Sequence, residues 1–105
     1  MKPKSYEMVA PKPYMSVHFD CGYRAFYEVI NEVDEMLREM WEEVHPDKDF
    51  NTCDHYHVLR DSDCDPEEIR IDNRDEEEME WVNKILAHYE VEPIEVGINV
   101  VLSPY

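Results

Sequence analysis

The stretch CDHYHVLRDSDC places Cys53, His55, His57 and Cys64 within twelve residues, and thiolate and imidazole are the ligands that a tetrahedral zinc ion takes. Their spacing argues against a zinc site. There is no CxxC pair, Cys53 precedes a strand-like segment, and Cys64 falls in the turn that follows it. His55 and His57 share one face of that strand, being two residues apart. Closing both thiols onto one ion would distort the hairpin, and His18 belongs to a distant strand. Calcium fits no better. Asp61, Asp63 and Asp65 fall at the first, third and fifth places of an EF-type loop, but the sixth place is Pro66 where Gly is needed and the twelfth is Asp72 where Glu is needed. The expectation is a protein that holds no metal and no other cofactor.

No catalytic set emerges either, so a protein without enzymatic activity is expected. Cys21 precedes a helix start, where a thiolate is stabilised. His18, three residues earlier on a strand, has the opposite parity and points to the other face. With only Gly22 and Gly97 there is no glycine-rich phosphate loop, and the lysines and arginines are scattered.

Charge is the dominant feature. In 105 residues, 26 acidic side chains outnumber 10 basic ones, for a formal charge of −16. The excess belongs to the body of the chain, because residues 1–13 carry Lys2, Lys4 and Lys12 against Glu7 alone. Such a body is a poor partner for bare nucleic acid or an anionic membrane, both of which need Lys and Arg contacts. A basic protein surface is a suitable partner. An apolar fraction of 43%, with two Trp and seven Tyr, is too rich for a disordered acidic tail. No apolar run approaches a membrane span, the basic start lacks the apolar segment of a signal peptide, and three cysteines in a chain with a workable core suggest a reducing cytoplasm.

The elements that would position these groups follow from periodicity. Pro3, Pro11 and Pro13 make residues 1–13 read as an irregular arm ahead of a single domain over 14–105. YMSVHFDC (14–21) alternates as a half-buried strand. A helix from about Tyr23 to Val44 keeps a 3.6-residue apolar period for six turns and stops before Pro46. HYHVLR (55–60) and EIRID (68–72) read as a hairpin around Asp-rich turn material. Asn73 lies three before Glu76 as a helix cap, opening a second helix to about Tyr89, and PIEVGINVVL alternates as a last strand. Strand, helix, strand, strand, helix, strand is the ferredoxin-like split βαβ pattern: a four-stranded antiparallel sheet, two helices on one face and the other face open.

On the first helix, Glu28, Glu32, Glu35, Glu39 and Glu42 fall on one stripe, with steps of four and three placing carboxylates about 5–6 Å apart. Like charges so placed each cost a few tenths of a kcal/mol. A second acidic block spans 61–80, with Asp61, Asp63, Asp65, Glu67, Glu68, Asp72, Asp75, Glu76, Glu77, Glu78 and Glu80 against Arg70 and Arg74. Tyr27 and Trp81 lie beside these acids as candidate anchors, since aromatics concentrate binding energy. In size and charge the chain resembles the nucleic-acid-mimic inhibitors of phages, such as anti-restriction and anti-CRISPR proteins. That likeness implies an inhibitor that binds a basic nucleic-acid-handling protein, and it carries no residue roles with it. The alternative is a small accessory subunit that dimerises, or binds a ligand, through the open sheet face around Tyr14, His18 and Asn99.

Overall fold

A computed structural model describes residues 1–9 and 13–105. The elements are β1 (Ser5–Val9), β2 (Tyr14–His18), α1 (Tyr23–Val44), β3 (Tyr56–Arg60), β4 (Pro66–Ile71), α2 (Glu76–His88) and β5 (Asn99–Ser103), with one turn of 3-10 helix at Thr52–Asp54. They form an α+β fold in which a five-stranded mixed sheet, ordered β1-β2-β5-β4-β3, carries both helices on one face.

Three expectations are corrected. Residues 5–9 of the supposed irregular arm form β1, antiparallel to β2 from Ser5↔His18 to Val9↔Tyr14, while residues 10–12 lie outside the described residues. The flanking prolines bracket the strand rather than interrupt it. The sheet therefore has a fifth strand. It is also not wholly antiparallel, because β2 and β5 are neighbours and run parallel. Alternation reports which face of a strand is buried, not which strand lies beside it, so the strand pairing could not be read from the pattern.

The core is built as the periods require. Val17 from β2, Ile69 and Ile71 from β4, and Val100 and Leu102 from β5 meet Phe26, Val29, Val33 and Leu37 from α1 and Val82, Ile85 and Leu86 from α2. α1 has the predicted bounds. Gly22 precedes it in an extended conformation, and Asp20, with φ 51°, turns the chain out of β2. α2 begins two residues later than expected because Asp75, not Asn73, is its cap: the Asp75 carboxylate accepts from Glu78 N at 2.8 Å. Asn73 is instead buried, and its amide donates to the main-chain oxygens of Glu95 (2.7 Å) and Ile98 (3.0 Å). It holds irregular the segment 94–98 that alternation suggested was strand. Gly97 makes the turn there at φ 94°, a left-handed backbone that favours glycine.

Candidate functional site

The layer of helices carries the acidic surface. On α1, Glu28, Glu35, Glu39 and Glu42 are exposed, on the side opposite Val29, Val33 and Leu37. Glu32 belongs to the stripe by position but not by function. Its carboxylate accepts from the buried Tyr89 hydroxyl at 2.8 Å and lies 3.5 Å from His88. Burial, and then this carboxylate, push the Tyr89 phenol well above its usual range. Toward the C-terminal end of α1 the stripe meets α2 across an antiparallel seam. A hollow of about 300 Å³ there is lined by Met40, Glu43, Val44, Glu76, Glu77, Glu80, Trp81 and Lys84. A smaller one, about 220 Å³, lies further along between Glu32, Glu35, Met36, Glu39 and His88.

The block 61–80 does not form one surface. Asp61, Asp63 and Asp65 make the β3–β4 turn, where the Asp61 carboxylate accepts from the main-chain N–H of Asp63 (2.9 Å) and Asp65 (3.0 Å). Together with Glu67 they surround Tyr23 at the start of α1, and this negative field adds to desolvation in raising that phenol. Glu76, Glu77 and Glu80 lie at the far end, where Glu77 contacts His45 at 3.0 Å. α1 separates the two groups by about 30 Å at 1.5 Å per residue. Glu68 and Asp72 belong to neither group. They are on the open face of the sheet, beside Arg70 and His57.

Both aromatic candidates are reassigned. Trp81 is 3% exposed and packs edge-on against Trp41, with ring centroids 6.0 Å apart, so it is core rather than anchor. Tyr27 is exposed but turned toward β3, where its hydroxyl accepts from Arg60 at 2.8 Å under the guanidinium. It faces away from the α1–α2 seam.

The four proposed zinc ligands are dispersed. His55 is buried among Trp41, Phe50 and Trp81, His57 lies on the open face, and Cys53 and Cys64 are exposed at opposite ends of the hairpin. Among the described residues, only Asp61, Asp63 and Asp65 bring three potential ligand atoms together.

Sequence reasoning missed an ion pair beside His55, between the exposed Arg74 and the buried Glu78. Glu78 is 5% exposed. It accepts from Arg74 Nε (3.0 Å), Arg74 Nη2 (2.9 Å) and Arg74 N (2.8 Å), and lies 3.5 Å from His55 Nδ1. Burial pushes the Glu78 carboxyl up, but the Arg74 contacts and His55 outweigh it, and the net shift is downward from 4.5. A depressed carboxylate contributes stability that is present above the unfolded value and lost as pH falls through the folded one. Glu78→Gln is therefore expected to lower the urea midpoint near pH 6 and to narrow the gap from wild type toward about pH 3, as urea melts across that range will measure.

The open face is polar where a sheet face packed on a second layer would be apolar. His18 Nδ1 donates to the main-chain oxygen of Tyr105 at 2.9 Å, and Nε2 lies 3.3 Å from Ser16 Oγ and 3.8 Å from the Glu7 carboxylate. Ser103 Oγ also donates to Tyr105 O at 2.8 Å, so the group ties the end of β5 to β2. Further along, Tyr14 pairs with Asn99, Val101 with Arg70, and Arg70 with His57, around a hollow of about 510 Å³.

No family model, curated protein or solved structure matches this chain. Among the described residues, no helix is long and apolar enough to cross a membrane.

Proposed function

We propose that the protein is an acidic interaction protein that binds the basic groove of a nucleic-acid-handling protein, its helical layer standing in for nucleic acid charge. The observation that carries this reading is the row of exposed carboxylates at Glu28, Glu35, Glu39 and Glu42, continued by Glu43 near the end of α1 and, across the seam, by Glu76 and Glu80. A helix with this spacing offers one carboxylate per about 7 Å of axis, roughly half the charge density of a nucleic acid strand with one phosphate per 3.4 Å. Self-repulsion along the row opposes folding by about 0.2–0.5 kcal/mol per pair, and a partner's cations relieve it on binding. The likeness in size and charge to anti-restriction and anti-CRISPR proteins points the same way.

The test is competition. Immobilised protein is exposed to the heparin-binding fraction of a bacterial lysate, and the retained species is challenged with duplex DNA, RNA or sodium chloride. Release by one of the nucleic acids is expected, as is weaker retention as salt shortens the screening length to roughly 8 Å and below. A species that stays bound while saturated with nucleic acid overturns the reading.

A further inference from the structure

The open face holds a hollow of about 510 Å³, and the acidic reading makes no use of it. Four strands contribute: Tyr14 from β2, Asn99 and Val101 from β5, Glu68 and Arg70 from β4, and His57 from β3, with Asp72 just past β4. Arg70 is already paired. Arg70 places Nε (3.2 Å) and Nη2 (2.9 Å) on a single oxygen of Glu68, and His57 Nε2 lies 3.5 Å from Asp72 Oδ2. Three of the five guanidinium N–H donors, on Nη1 and Nη2, the second oxygen of Glu68 and the second oxygen of Asp72 are left for a ligand. The Asn99 amide is oriented by its oxygen, which accepts from Asn73 N at 3.1 Å, so its NH2 faces away from that bond. Val101 gives an apolar floor and Tyr14 an aromatic wall.

A site of this composition selects an uncharged, flat molecule with acceptors on one edge and donors on another. A free carboxylate or phosphate would meet Glu68, Asp72 and a chain of −16. A purely apolar ligand would strand four polar groups. We infer that the open sheet face binds a purine base or nucleoside without its phosphate, with guanine preferred. Guanine shows O6 and N7 as adjacent acceptors that suit Arg70, and N–H donors that suit the Asp72 and Glu68 carboxylates. Its ring covers Val101 beside Tyr14. This inference does not rest on the acidic helical face, and neither stands or falls with the other.

The experiment is a titration of 15N-labelled protein with guanosine, read by backbone amide shifts. Saturable shifts at Tyr14, Arg70, Asn99 and Val101 are expected, with a dissociation constant in the sub-millimolar range and little change on α1. Guanosine monophosphate and adenosine should each bind more weakly. Arg70→Gln and Asp72→Asn, both at the rim, should keep the wild-type spectrum and weaken guanosine roughly ten-fold or more. Tyr14→Ala serves as a third variant should either rim change disturb the sheet. No saturable shift at millimolar guanosine overturns the inference. So do shifts unaltered in folded rim variants, and so does tighter binding of the monophosphate.

Discussion

Reversing Glu28, Glu35, Glu39 and Glu42 to Lys is expected to slow association with the basic partner by about 10- to 100-fold at low salt while leaving the fold intact. All four side chains are exposed, and surface changes of this kind usually alter stability by less than about 0.5 kcal/mol each. Steering acts on the encounter, so the loss should fall mainly on the on-rate and fade as salt rises, with a smaller change in release. Glu32 is left untouched because its reversal would strip the buried Tyr89 hydroxyl of its acceptor and confuse a loss of binding with a loss of folding. Reversing Asp63, Asp65 and Glu67, about 30 Å away by the length of α1, is the control, with Asp61 kept because its carboxylate holds the turn. Equal on-rates for the wild type and the helix variant at low salt would remove the helical face from consideration.

Asn73→Ala is expected to destabilise the protein by about 2–3 kcal/mol, roughly 10–15 °C in Tm for a domain of this size. The side chain is 0% exposed, and its amide serves two main-chain oxygens of the segment that delivers β5. Truncation leaves the Ile98 main-chain oxygen without this donor, and the Glu95 oxygen keeps only the longer bond from Ile98 N at 3.3 Å. The loss is partly offset, because the Asn73 side-chain oxygen has no partner itself and its removal costs nothing. Gly97 N donates to the Asn73 main-chain oxygen at 2.8 Å, so that bond survives the change. Thermal and urea melts of Asn73→Ala beside Asn99→Ala will measure the difference. Asn99, exposed and making a single bond to the main-chain nitrogen of Asn73, should cost no more than about 1 kcal/mol.

What could be read from the sequence was whatever repeats locally. α1 announces itself by six turns of apolar periodicity, and the exposure of Glu28, Glu35, Glu39 and Glu42 follows from the same wheel. β1 could not be found this way. SYEMV has Tyr6 and Met8 on one side, but β1 lies at the sheet edge and both remain exposed, so no buried face marks it. The fate of Glu32 depended on Tyr89, 57 residues away. Trp81 looked peripheral on its own helix, because the rings that bury it come from α1 and the start of β3. The roles of Asn73 and Glu78 were hidden for a related reason. Asn73 sat where a capping pattern offered a local explanation and Glu78 sat in a run of acids, yet Asn73 serves the 95–98 segment and Glu78 reaches His55.

The position of β5 sets the order in which this molecule can assemble. β1 with β2, and β3 with β4, are hairpin pairs close in sequence and able to form early. The strand that joins them into one sheet is the last in the chain, and the contact of Ser103 with His18 spans 85 residues. Closing such a loop costs about 4 kcal/mol in chain entropy before the β2–β5 contact returns anything. Refolding is thereby slowed relative to a sheet built only from neighbours. Until β5 enters, β2 and β4 each show an unpaired edge, and those two edges are where an incompletely folded chain is most open to pairing with another copy.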